Sequence, residues 1–282
     1  MGFFSKNKKD ESETTSPEFL ELVNKWDVFL EKINNRFNES LVNAEEAILD
    51  NLNESDYDLS PTLTAWQGIK AQLHGLSNKI DDTFYNKVEP QMLNYVKGYD
   101  TVDQSIKAND LRNSIFFRIE RFEIVLEGKV SKAFYDHAIQ FLNNDFHCTQ
   151  CSAKLEVRKD VFRSHYVSCE YCNTVNTFTP NDKIASIRWI VDNIAKYNAL
   201  AEWDEMQKAN NEFSDFRPPH EGQDNTEYIK LFKKRENTER AFWVKYFSER
   251  SEFLPEYNET IEHDVDNKMK WFYEERKREL NF

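Results

Sequence analysis

Phe19-x2-Leu22-x3-Trp26-x2-Phe29-x3-Ile33-x3-Phe37-x3-Leu41-x2-Ala44-x3-Ile48-x3-Leu52 is the stretch that decides the fold. Its steps are threes and fours throughout, which sets every one of these side chains on a single stripe of an α-helix. Ser16 stands in the cap position and Pro17 suits the first helical residue. The stretch predicts one helix of about 35 residues, roughly 50 Å long. Asn53-Glu54-Ser55-Asp56-Tyr57-Asp58-Leu59-Ser60-Pro61 ends it, with Ser60 and Pro61 opening the next helix.

The second stripe is Leu63, Trp66, Ile69, Leu73, Leu76, Ile80, Phe84 and Val88, continued by Tyr95 and Val96. Pro90 interrupts it and predicts a kink or short break near Glu89. Gly98 to Asn109 reads as a turn region with a turn or two of helix around Val102 and Ile106. Asp110 then caps a third helix striped by Leu111, Ile115, Ile119, Phe122, Leu126, Val130, Phe134, Ala138 and Phe141. Helices of matched length joined by short connectors predict an up-down-up antiparallel bundle with gentle left-handed coiling. Beyond residue 180, Asn181 or Asp182 caps a helix carrying Ile184, Ile187, Val191, Ile194, Tyr197 and Ala201. Residues 210–224 read as a polar loop. Helical pattern returns from about Asn225, and a last helix carries Ile261, Val265, Met269 and Phe272.

Composition agrees with this reading. The 282 residues include only 6 Gly and 7 Pro, where average usage gives roughly 20 and 14. Few connections and long helices follow. Hydrophobic residues at 39% and aromatics at 14% supply a core and exclude wholesale disorder. No glycine-rich phosphate cradle can be assembled from glycines at 2, 68, 75, 98, 128 and 222, which argues against an NTP-using enzyme. Net charge is -13. Residues 17–143 carry -8 of it and 181–282 carry -5, so a generic nucleic-acid surface is disfavoured.

All four cysteines fall in one cluster, Cys148-Thr149-Gln150-Cys151 and Cys169-Glu170-Tyr171-Cys172. The shape is C-x2-C-x17-C-x2-C, a zinc spacing with no cysteine left over. Two residues between cysteines let a tight turn aim both thiolates at one metal. The residue after each second cysteine must turn with positive φ; Asn173 suits that and Ser152 suits it less well. Lys154–Arg158, Tyr166–Cys169 and Thr174–Thr179 read as short strands. Residues 145–180 therefore resemble a zinc ribbon, and the resemblance implies a structural Zn²⁺ held by Cys148, Cys151, Cys169 and Cys172. Four thiolates fill the shell and leave no place for a reactive water. Disulfides or a redox C-x-x-C are the weaker alternatives, as is His147 replacing a cysteine. The same count occurs in GATA-type DNA-binding fingers, but those follow the last cysteine with a basic helix and tail, whereas Asn173 to Asp182 holds no Lys or Arg.

Other signals are plainer. Arg240-Ala241-Phe242-Trp243-Val244-Lys245-Tyr246-Phe247 reads as core or as a docking surface. Lys230, Lys233, Lys234 and Arg235, interleaved with Glu227, Glu236 and Glu239, read as a solvated, salt-bridged face. Phe3 and Phe4 ahead of Lys6, Lys8 and Lys9 offer a weak membrane contact. No signal peptide or membrane-spanning run is seen, which leads to a cytoplasmic expectation. The expected organisation is a disordered N-terminus (1–16), a long-helix bundle (17–144), the ribbon (145–180) and a C-terminal helical region (181–282). The expected fold is mainly α. The expected function is a non-catalytic scaffold or adaptor that binds protein partners, with oligomeric state open. A nucleic-acid-associated ribbon protein and an enzyme with a site in the helical core stand as alternatives.

Overall fold

The computed structural model describes residues 16–142, 145–157, 161–217 and 224–279. Phe3 and Phe4 lie outside them. The fold is mainly α with one small antiparallel sheet. In chain order the elements are α1 (Pro17–Glu54), α2 (Leu59–Thr83), a π turn (Phe84–Val88), α3 (Glu89–Met92), α4 (Val102–Ala138), β1 (His165–Ser168), β2 (Val175–Phe178), α5 (Asp182–Asn198), α6 (Leu200–Asp215), α7 (Thr226–Phe253) and α8 (Ile261–Glu279). Two compact units divide the chain. Of the described residues, one holds those up to Asn51 together with Ser60–Arg121; the other holds Leu52–Leu59 and those from Phe122 onward.

In the first unit the helices pack up-down-up, and the unit ends at Arg121, inside the span of 17–144 expected for the bundle. Antiparallel packing of α1 on α2 shows in Trp26 against Phe84 (5.4 Å) and Thr62 against Asn51 (3.2 Å). Parallel packing of α1 with α4 shows in Lys107–Asp27 (2.6 Å) and Arg118–Asn38 (2.8 Å). Ser16 caps α1, its hydroxyl accepting from the Phe19 N–H at 3.1 Å. Trp26, Phe37, Ile48, Trp66, Leu73, Ile80, Ile115 and Ile119 are buried as their stripes predict.

Two expectations change in this unit, and the break expected near Glu89 takes a particular form. The third helix begins at Val102, not at Asp110, because Ala108 and Gln104 are buried about one turn and two turns before Leu111 on the same stripe. Pro90 lacks an N–H and its ring crowds the preceding turn. The chain answers with the π turn, in which the Glu89 N–H bonds back to the Phe84 carbonyl. The turn shifts the helical phase, so Met92 is buried and Tyr95 is exposed.

In the second unit, Phe134 and Ala138 of α4 pack with Ile184, Ile187, Ile190, Val191 and Ile194 of α5 and with Leu254. Phe141, expected at the end of the α4 stripe, is exposed. Asn181 caps α5 by accepting from the Lys183 N–H at 2.9 Å. The helix predicted beyond Tyr197 breaks at Ala199, and α6 runs on to Asp215, so the expected loop at 210–224 is helical at its start and 218–223 lie outside the described residues. Phe242, Tyr246 and Phe247 of α7 are buried, which makes the aromatic run core. Arg235 is half-buried rather than solvated. Its guanidinium lies 4.9 Å from the rings of both Trp271 and Phe272 and takes Asn210 Oδ1 at 2.9 Å. Glu236, also expected in solvent, is buried and paired with Arg276.

Candidate metal centre

The ribbon lies in the second unit and is built from two tight turns of the same design. In the first, Ser152 N–H donates to Cys148 O (3.0 Å) and Cys148 N–H to Ala153 O (2.8 Å). In the second, Asn173 N–H donates to Cys169 O (2.9 Å) and Cys169 N–H to Thr174 O (2.9 Å). Ser152 and Asn173 take φ of 60° and 58°, the left-handed conformation expected after each second cysteine. Repeating one turn geometry brings two pairs of thiols to face each other.

β1 and β2 carry the second turn, pairing His165↔Phe178, Tyr166↔Thr177, Val167↔Asn176 and Ser168↔Val175. Alternation puts Val167, Asn176 and Phe178 toward the cluster and Tyr166 and Thr177 toward solvent. The strand expected at Lys154–Arg158 does not form among the described residues. Lys154 makes only a bridge with His147, and Leu155 N–H donates to Phe146 O (2.7 Å), so this segment is spent on closing the first turn.

All four sulfurs lie within 4.8 Å of one another. Cys148 Sγ is 3.5 Å from Cys172 Sγ and Cys151 Sγ is 3.6 Å from Cys169 Sγ. A disulfide requires about 2.05 Å, so the thiols are free. A tetrahedral ion with bonds of about 2.3 Å needs sulfurs about 3.8 Å apart. The spacing thus fits a tetrahedral four-sulfur site, the donor set of zinc or of iron–sulfur centres. His147 is exposed and forms no part of the cluster.

Electrostatics favour a cation here. Backbone N–H groups of Cys151 and Gln150 draw the Cys148 thiol down to about 6. Cys151 accepts from the Ala153 N–H, yet Cys172, burial, Cys169 and Cys148 together push it up to about 12. Cys172 is lowered chiefly by the Thr174 hydroxyl. Without a cation to share, four sulfurs this close cannot all ionise; a divalent ion removes that conflict.

Two residues that spacing did not single out hold the two turns together. Asn176 is 2% exposed. Its Oδ1 accepts from Thr149 N–H (2.9 Å) and Thr149 Oγ1 (3.0 Å), while its Nδ2 donates to Thr174 O (3.0 Å) and lies 3.7 Å from Cys148 Sγ. Thr174 reaches back to Gln150 in the first turn. A polar residue at a strand position whose side chain faces the cysteines was the available signal.

The fold and site together define a mainly α protein with a four-cysteine module positioned to bind a metal ion. No family model matches the chain, and no curated protein or solved structure matches it either. Among the described residues, no helix is long and apolar enough to cross a membrane.

Proposed function

We propose that this chain is a non-catalytic cytoplasmic scaffold or adaptor whose zinc-loaded ribbon, between two helical regions in the sequence, contributes to binding partner proteins. The observation that carries the reading is the closed sulfur set. Cys148, Cys151, Cys169 and Cys172 complete a tetrahedron by themselves, so zinc there is structural and has no position for a reacting water. Free thiols suit a reducing compartment. Lys230 and Lys234 are engaged by Glu227 and Glu212, which weighs against a phosphate-binding patch on α7. Metal analysis of the purified chain is expected to find one zinc per chain, lost in Cys169→Ser. Affinity capture from native lysate, repeated with that variant, is expected to recover protein partners whose binding weakens when the ribbon is lost. A turnover reaction abolished by a substitution outside the ribbon would overturn the non-catalytic reading.

A further inference from the structure

We propose that the four-cysteine cluster is a peroxide-sensitive site: oxidation starts on Cys151, expels the metal and leaves the disulfides Cys151–Cys169 and Cys148–Cys172. The inference rests on the zinc reading of the ribbon and adds what the site does when its thiols are oxidised. Zinc has no redox chemistry of its own, so electron loss falls on sulfur. Which sulfur reacts first follows thiolate character and access. The four sulfurs differ in access. Cys148 and Cys169 are 3% and 1% exposed, Cys172 is half-buried and Cys151 is exposed. Cys151 is therefore the ligand that an oxidant meets first.

Geometry sets the partner. Cys151 Sγ lies 3.6 Å from Cys169 Sγ, and Cys148 Sγ lies 3.5 Å from Cys172 Sγ. Both contacts run from one turn to the other, and together they use each sulfur once. The bonds from Asn176 to Thr149 and from Thr174 to Gln150 hold the turns face to face while the sulfurs close by roughly 1.5 Å to bonding distance. The chain has no fifth cysteine to compete. In the first step the Cys151 thiolate attacks an oxygen of hydrogen peroxide. The S–O bond forms, the O–O bond breaks, and the departing hydroxide takes a proton to become water. The Cys169 thiolate then attacks the Cys151 sulfenic sulfur. The S–S bond forms, the S–O bond breaks, and the second hydroxide also leaves as water. Two thiolates have lost two electrons, one peroxide has gained them, and two protons have come from solvent. Cys148 and Cys172 repeat the sequence with a second peroxide. Disulfide sulfurs are no longer thiolate ligands, so the metal leaves. The new bonds staple the two turns that the metal held.

The test treats the zinc-loaded full chain with hydrogen peroxide, first one equivalent per chain and then an excess. Released zinc is read with a chromogenic chelator, free thiols are alkylated, and disulfides are mapped by tandem mass spectrometry. At one equivalent, Cys151–Cys169 is expected to be at least fivefold more abundant than any other pairing. In excess, Cys148–Cys172 should join it and all bound zinc should be released. The Val167 amide should stay protected in the oxidised, metal-free chain, whereas chelation of the reduced chain exposes it. Reduction with a dithiol and added zinc should restore the starting state. Disulfides formed within the turns, as Cys148–Cys151 or Cys169–Cys172, or a first disulfide that lacks Cys151, would overturn the inference. Zinc that is bound and then retained under excess peroxide would overturn it too and leave the zinc reading standing. A reduced chain that binds no zinc would overturn both.

Discussion

Asn176 shows how a single side chain can decide whether two turns make one site. Its amide spans both turns, and it is buried, so removing it strands the Thr149 N–H and takes a donor from Cys148 Sγ, while the Thr174 carbonyl keeps only the Cys169 N–H. Partners that orient metal ligands are typically worth 10–100-fold in affinity. Asn176→Ala is expected to weaken zinc binding by about that factor, read by chelator competition, with the helical circular dichroism unchanged. Asn176→Asp should be milder, since its oxygen still accepts from Thr149. Protonation at the same site gives a second expectation. Cys148, drawn down to about 6, is largely a thiolate at neutral pH, whereas Cys151, pushed up to about 12, still holds its proton. Zinc binding must therefore expel at least one proton, so affinity rises with pH. The dependence steepens as pH falls through 6, where Cys148 also takes a proton. Titration at several pH values in buffers of different ionisation enthalpy measures both effects; a pH-independent affinity would contradict the assignment of these sulfurs as ligands.

At the scale of elements, Gly128 reverses an ordinary rule. Replacing glycine by alanine inside a helix normally stabilises by about 1 kcal/mol. Here a Cβ would fall onto the Cβ of Tyr197 and within 2.5 Å of its Cγ, because Tyr197 of α5 packs directly against this turn of α4. The Cβ is fixed to the backbone and cannot swing aside without moving α5. Gly128→Ala is expected to destabilise by about 1–3 kcal/mol, visible in denaturant titration as a lower midpoint; Gly68→Ala, with open space around it, should be neutral or stabilising. The contrast marks what a single chain reveals before folding. The stripe from Phe19 to Leu52 was legible because each residue repeats one geometric demand, burial every three or four positions. The cysteine turns were legible because metal chemistry needs that spacing. Gly128 was not, since its meaning lies in Tyr197, far along the chain. The early start of α4 was hidden because Val102 and Ile106, the apolar residues that drew the eye, are exposed, while the neutral polar Gln104 is buried and receives Trp26 through its carbonyl at 3.2 Å. Arg235 and Glu236 read as solvated for a related reason: their partners Phe272 and Arg276 belong to another helix.

Across the whole molecule, the helical parts and the ribbon draw on different sources of stability. The helices bury large side chains among themselves, from Trp26, Phe37 and Trp66 in one unit to Phe134, Ile187, Ile194 and Leu254 in the other. At about 25 cal/mol per Å² of apolar surface, such cores hold without help. The ribbon's own cluster consists of Cys148, Leu155 and Cys169, flanked by Phe146, Ala153, Val167 and Cys172. So small a core, closed by a sheet of two short strands, cannot offset the entropy of ordering its turns. On the proposed zinc reading, metal binding supplies that free energy, as it does in small zinc modules generally. Chelation is therefore expected to melt the ribbon alone: amide protection at Val167 and Asn176 should vanish, and Tyr57 stacked on His137 at 4.1 Å, with Lys183 clipped to Asp56 at 3.0 Å, should persist in the same unit. Far-ultraviolet circular dichroism should lose little of its helical signal. If chelation instead unfolded α4, α5 and α7 cooperatively, the metal would be holding the helical core rather than the ribbon, and a ribbon that folds on its metal would have to be abandoned as the source of the module's stability.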